Sequence, residues 1–378
     1  MGFNDDFKRY LRMRKSGRYA RFNESKRTQT NRRIIARFTC GKTIPAALAA
    51  FVTQLTASAS SREQLDQTIR AYATADQLAD KRWLRRIKRD VYFTQYYHRI
   101  SPNEYFRYKF EYLSKKGRHQ YVGKAELSRL RKLGNPRLTN DKYESYVAFR
   151  PYYKRDAVLI GSREDEALFN DFCDRHPVFF LKPLSDCGGH GVQRIDLEGM
   201  DKREDVFDHI LQRTSACILE EPIIQAEAMA KYHPDSINTV RVVVLKKDDT
   251  LEVLQTSVRF GRGGAVVDNT GTGGLSSSVD TETGLITSPG RVGYEYGVFL
   301  RHPDTGVQIL GSQIPAWEEL LLQVKEQMGL FDENCLIGWD MAYTNEGWVV
   351  VEVNSFPGMQ GLAADGVGIR DLFERILS

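Results

Sequence analysis

The stretch from Gly338 to Gln360, GWDMAYTNEGWVVVEVNSFPGMQ, sets three acidic side chains inside an otherwise apolar run. Its two halves read as strands, rich in aromatic and β-branched residues. Asn345-Glu346-Gly347 between them suits a three-residue hairpin loop with Gly347 in the left-handed position. Counting outward from that loop places Thr344 opposite Trp348 and Asp340 opposite Glu352. Alternation then sorts the side chains. Trp339, Met341, Tyr343, Val349, Val351 and Val353 form an apolar face, and Asp340, Glu352 and Asn354 share the other. Like charges opposed across a ladder, with Cβ atoms ~4.5–5.5 Å apart, are destabilising, so the pair asks for a cation. Two carboxylates and an amide carbonyl make an oxygen-only ligand set suited to Mg²⁺. The hairpin alone leaves a second reading open: lysine or arginine neighbours neutralise both acids.

Other segments set the fold class. VFFLKP, ACILEEPI, TVRVVVL, LEVLQTSVRF and WVVVEVN are short strand-like runs, with helical segments near 163–175, 201–213 and 315–329. Strands mixed with helices in this order imply an α+β protein with antiparallel sheets. Residues 1 to about 140 read as mainly helical. Ser60 and Glu63 make a capping-box signature, and Leu65, Ile69, Leu84, Ile87 and Val91 fall at helical spacing. Trp83, Tyr92, Tyr96 and Tyr97 read as packing residues.

Composition excludes several classes. The longest apolar run, Ile44 to Val52, is too short to span a bilayer, and no apolar segment opens the chain as a secretory signal would. Five scattered cysteines form no C-x-x-C pair, which argues against a disulfide framework or zinc site and for a reducing, cytoplasmic setting. Net charge is +5, but residues 1–40 carry twelve Lys/Arg against three Asp/Glu, a local +9 that leaves −4 elsewhere. This basic arm is either a solvated helical extension or a contact for an anionic glycan or membrane surface. Its aromatics form no nucleic-acid motif.

FFLKPLSDCGGHGVQRID carries Lys182 near the end of a strand, enters Gly188-Gly189-His190-Gly191, and returns as a strand. Glycines let backbone N–H groups wrap phosphate oxygens, and a lysine adds a point charge. A plain flexible turn is the other reading, and His190 is assigned no chemistry. No Ser, Cys or His nucleophilic constellation is evident.

Together, NDKYESY, FLKPLSDCGGHGV, SINTVRVV, VRFGRGGAVVDNTGTGGL, GWDMAY and VEVNSFPGMQG resemble the ATP-grasp superfamily. The finer pattern is similar to its sugar-transfer-associated branch, linked to cell-surface polysaccharide biosynthesis. The resemblance runs from about residue 139 to the C-terminus. It implies two α+β lobes clamping ATP: a small lobe over 141–220 and a large lobe over 221–378, after a basic extension over 1–95 and a helical region over 96–140.

The resemblance also implies roles. Lys142 and Lys182 meet the nucleotide phosphates, with Gly188, Gly189 and Gly191 folding over them. Backbone groups at Glu220, Glu221 and Ile223 read adenine, and Glu227 meets the ribose. Asp340, Glu352 and Asn354 hold one or two Mg²⁺ ions, with Mn²⁺ as the other candidate. Arg241 and Arg259 hold a transferring γ-phosphoryl or an acyl phosphate, the other reading being ion pairs with neighbouring carboxylates. Asn238, Asp268 and Asn269 line the same mouth. The implied reaction is carboxylate–amine ligation on a carboxylated sugar or glycan. Its rivals are a kinase on the same scaffold, with Asp268 as base, and a non-catalytic nucleotide-binding adaptor.

Overall fold

The computed structural model describes residues 57–135, 141–184, 191–198, 203–213, 216–248, 250–265, 268, 273–292, 298–331, 333–355, 357 and 368–378. The basic arm, His190, Gly188, Gly189 and Asn269 lie outside them. Among the described residues, 57–130 and 368–378 form one compact unit, and those from 131 to 357 form a second.

The first unit is helical. Helix α1 spans Ala59–Tyr72 and is capped by Ser58, whose Oγ accepts from the Ser61 N–H at 3.1 Å. The expected capping box at Ser60 therefore gives way to a cap two residues earlier. Helix α2 spans Lys81–Tyr97, and α3 spans Pro102–Arg107 behind a capping box of Ser101 and Glu104. Leu65, Ile69, Trp83, Ile87, Val91 and Tyr92 are buried against Tyr105, Phe110 and Tyr121, with Leu84 packed at the edge. Helical spacing put those residues on inward faces, where burial of each contributes about 1.5–3 kcal/mol.

The second unit holds two antiparallel sheets. The smaller contains β1 (Ala157–Ile160), β2 (Val178–Pro183), β3 (Gln193–Asp196) and β4 (Cys217–Glu220), in the order β1-β4-β2-β3. Helix α4 (Lys142–Tyr153) precedes it. Helices α5 (Glu166–Arg175) and α6 (Arg203–Arg213) bury Phe169, Phe172, Phe207 and Ile210 with Phe179 and Leu181 of β2. The larger sheet contains β5 (Val240–Lys247), β6 (Thr250–Phe260), β7 (Leu275–Val279), β8 (Arg291–Val292), β9 (Cys335–Thr344) and β10 (Gly347–Asn354). Its order is β10-β9-β5-β6-β7-β8. Helix α7 (Trp317–Met328) adds Trp317, Leu320, Val324 and Met328 to its core, where Phe149 of α4 meets Trp339 edge-on at 5.0 Å between centroids. Helix α8 (Arg370–Leu377) belongs with the first unit, since Arg370 donates to the His119 carbonyl at 2.6 Å and to both Glu126 oxygens at 3.1 Å. Among the described residues the helical unit thus runs from 57 to 130 and takes in 368–378.

The terminal hairpin differs in detail from its reading in the sequence. Thr344 pairs with Gly347, so the turn is one residue shorter than expected. A bulge at Val351 restores the count, and Glu352 lies opposite Asp340. Because of the shorter turn, Trp348 and Val350 join Trp339, Met341 and Val353 in the core cluster, and Val349, though buried, falls on the face of Asp340. Among the described residues, no helix is long and apolar enough to cross a membrane.

Candidate active site

The large sheet presents one charged face. Arg241 on β5 lies directly opposite Asp340 on β9. Its guanidinium grips both carboxylate oxygens, Nε to Oδ1 at 2.7 Å and Nη2 to Oδ2 at 2.6 Å. Arg259, one strand further on β6, brings Nη2 to Oδ2 at 2.9 Å, and Asn354 donates its amide to the same oxygen at 3.2 Å. Burial pushes the Asp340 carboxyl up, but Arg241 and Arg259 together hold it below the usual carboxylate range. Both arginines therefore form the ion pairs that were one of the two readings of the sequence.

Glu352 is in a different state. Loss of water and the facing Asp340 charge raise its carboxyl above the usual range, with Lys142, Lys182 and Arg241 opposing the rise. Two acids sit side by side on the ladder, and the arginines are spent on only one of them.

The lysines arrive from the small-sheet side of the unit. Asp141 caps α4 by accepting from the Tyr143 and Glu144 N–H groups, which fixes Lys142 in the first turn. Lys142 Nζ donates to the Pro183 carbonyl at 3.0 Å, at the end of β2. Lys182, on that strand, pairs with Glu220 Oε2 at 2.8 Å. Glu220 also receives Nε and Nη2 of Arg155 at 2.9 and 2.6 Å. Burial would raise the Glu220 carboxyl, yet Arg155 and Lys182 hold it well below its ordinary value.

Other expected positions take different parts. Asn238 is fully buried. Its amide donates to Gln225 Oε1 and to the Met229 and His233 carbonyls, while its Oδ1 accepts from the Gly261 N–H, so it braces loops and does not line the mouth. Asp268 Oδ2 accepts from the Thr239 N–H at 2.9 Å and from the Thr239 hydroxyl, and lies 3.7 Å from Arg259 Nε. Thr239 Oγ1 in turn accepts from Arg259 at 2.8 Å, which aims the guanidinium at Asp340. Glu220 acts through its side chain. The Glu221 N–H is bonded to the Asp156 carbonyl at 3.0 Å, so that donor is not presented to a base. Ile223 lies in the partly buried connection after β4, and Glu227 is exposed at the start of the short helix Glu227–Ala230. Gly191, at φ 77°, begins the return to β3. Gly338 meets a different demand: a Cβ there would stand 2.6 Å from Pro357 Cβ, so the glycine lets the segment after β10 lie over the hairpin.

Sequence reading missed Arg155 and Thr239. Thr239 had a signal, lying between two residues already singled out; Arg155, in a link between helix and strand, had none.

The sheet unit gathers four cationic side chains around two acids. Lys142, Lys182, Arg241 and Arg259 supply positive charge, Asp340 and Glu352 supply carboxylate oxygens, and Asn354 turns its amide N–H to Asp340. That donor set fits a hard divalent cation, which would relieve the Asp340–Glu352 repulsion that now raises Glu352.

Residues 162–377 match the family described as sugar-transfer associated ATP-grasp. No curated protein matches the chain. Among solved structures, D-alanyl-alanine synthetase A from Vibrio cholerae is 12% identical, with 64% of this chain and 62% of that chain covered at a TM-score of 0.39. The D-alanine–D-alanine ligase from Bacillus anthracis complexed with ATP is 14% identical, with coverages of 64% and 65% and a TM-score of 0.41. N5-carboxyaminoimidazole synthetase from Staphylococcus aureus complexed with ADP is 10% identical, with coverages of 64% and 53% and a TM-score of 0.39. The chain thus spans less than two thirds of the length of these structures. The 162–377 match covers more than half of the chain and takes in Lys182, both arginines and the whole β9–β10 hairpin; on that ground the protein belongs to the sugar-transfer associated ATP-grasp family, with an α+β ATP-grasp fold.

Proposed function

We propose that the protein is an ATP-dependent carboxylate–amine ligase that forms an amide through an acyl phosphate. The observation that carries this reading is the pairing of Glu352 with Asp340 across one ladder, Asp340 being held by Arg241 and Arg259 while the charges of Lys142 and Lys182 act on Glu352. Lys142 and Lys182 bind the phosphate chain of ATP. Asp340, Glu352 and Asn354 would hold Mg²⁺, which when bound neutralises charge between phosphate oxygens. A substrate carboxylate oxygen attacks the γ-phosphorus, and ADP leaves. An amine nitrogen then attacks the acyl carbon, loses a proton and displaces inorganic phosphate. Arg241 and Arg259 orient the phosphoryl oxygens and balance the charge that builds in each step.

The substrates are a carboxylated sugar or cell-surface polysaccharide intermediate and an amine, with the basic arm at 1–40 as a contact for an anionic glycan or membrane surface. A kinase would need a base for its hydroxyl. Asp268 is the candidate, with its Oδ2 bonded to Thr239. Incubation with Mg-ATP, a panel of uronic acids and hydroxylamine tests the proposal. Ligation gives ADP release that depends on the uronic acid, with hydroxamate formed. ADP with a phosphorylated sugar and no hydroxamate would favour the kinase, and ATP binding without turnover across the panel would favour an adaptor.

A further inference from the structure

Arg155 lies between α4 and β1, outside the span that matches the family, with its side chain only 3% exposed. One edge of its guanidinium, Nε and Nη2, holds Glu220, the carboxylate that anchors Lys182. Nη1 donates to the Val350 carbonyl at 2.5 Å, and Nη2 lies 3.4 Å from the Val351 carbonyl. Those carbonyls belong to the bulge that precedes Glu352. The Tyr153 ring lies 4.6 Å from the guanidinium carbon and fixes its plane.

The bulge decides which way Glu352 points. With regular pairing beyond Val350–Met341, Val351 would face Asp340, and Glu352 would fall opposite Trp339, in the apolar core. The extra residue moves Glu352 onto the charged face. A bulge interrupts the ladder and leaves backbone groups unpaired, and a buried carbonyl without a donor is costly. Arg155 supplies the donors. Its planar fork serves a carboxylate on one side and carbonyls on another, which a single ammonium point charge does not reproduce.

We infer that Arg155 is a positioning residue that couples the phosphate-binding lysine of the small sheet to the metal-binding carboxylate of the large one. All three of its guanidinium nitrogens are bonded to protein oxygens. It holds Glu220, and through it Lys182, in fixed relation to the bulge that aims Glu352. This inference rests on the nucleotide-binding reading above, and it adds that Lys182 and Glu352 function as a linked pair.

Titration calorimetry with Mg-ADP tests the link. Arg155→Lys keeps the charge and much of the volume, and it weakens Mg-ADP binding roughly 10–100-fold, as outer-shell changes at metal sites do. The decisive readout is non-additivity. In the native background, Glu352→Gln and Lys182→Met each weaken binding; in the Arg155→Lys background, each adds much less than its native-background factor. A merely structural role lowers the unfolding midpoint and leaves those factors multiplying unchanged. Glu220→Gln breaks the same link from the other side and gives the same non-additivity, which keeps the test open if Arg155 variants fail to fold. Full multiplicativity in both backgrounds overturns the inference alone. Absence of Mg-ADP binding by the unmodified protein overturns the nucleotide reading and this inference with it.

Discussion

The two units handle buried charge in opposite ways. In the helical unit, Asp90 is met by Arg118 through two bonds of 2.7 Å and by the Tyr105 hydroxyl at 2.5 Å. One anion has one cation and a neutral donor, and the set is closed. In the sheet unit, Asp340 is shared by two arginines while Glu352, its neighbour, feels the charge of lysines that are bonded elsewhere. The first arrangement locks helices together. The second keeps like charges adjacent and holds cations near them, which is what a site for a polyanion and a divalent ion requires.

The largest expected effect follows from breaking both clusters in the same way. Asp340→Asn leaves two arginines short of their shared anion and should cost about 3–5 kcal/mol in urea unfolding. It should also abolish Mg-ADP binding by calorimetry. Asp90→Asn, whose carboxylate is more exposed, should show a smaller stability loss, about 1–3 kcal/mol, with Mg-ADP binding unchanged. Loss of nucleotide binding in the Asp90 variant would end the contrast between the units.

Arg259→Lys comes next. It keeps charge beside Asp340 but loses the fork seated on Thr239, so kcat should fall about 10²–10³-fold. Because a cation remains, the unfolding midpoint should move much less than in the Asp340 variant.

Glu220 sharpens the comparison through pH. Its folded pKa lies at about 2, against an ordinary 4.5, because Arg155 and Lys182 outweigh burial. A depressed pKa gives stability that is present above 4.5 and is lost as pH falls toward about 2. Glu220→Gln should therefore be less stable than the native protein near neutral pH, with the gap narrowing across that acid window in chemical denaturation.

The smallest effect belongs to the helical unit. Ser58→Ala removes the cap of α1 and should cost about 0.5–2 kcal/mol, with Mg-ADP affinity untouched.

How far the sequence could be read differs from place to place. Asp340 and Glu352 were legible because acids amid aromatic and β-branched residues conflict with a core, and period-two alternation limits where they can point. The pairing came out right for a compensated reason: a turn one residue short and a bulge one residue long cancel. The bulge was not legible, since Val350 and Val351 have the same strand preference and nothing local says which one leaves the ladder. Asn238 looked like a site residue because polar groups near strand ends often are. Its role was set by carbonyls that the fold delivers from Met229 and His233.

What the sequence determined by itself was local and periodic: strands, amphipathic helices, the acidic ribbon, and the order of motifs along the chain. Short-range sterics and alternation act within a few residues, so they leave a linear trace. What only the tertiary structure decided was which charges meet. Arg241 and Arg259 both reach Asp340 because three strands lie side by side in the order β9-β5-β6. Arg155 reaches a bulge 195 positions away along the chain. Electrostatic and hydrogen-bond partners are chosen by distance in space, and the chain's own spacing does not encode that distance.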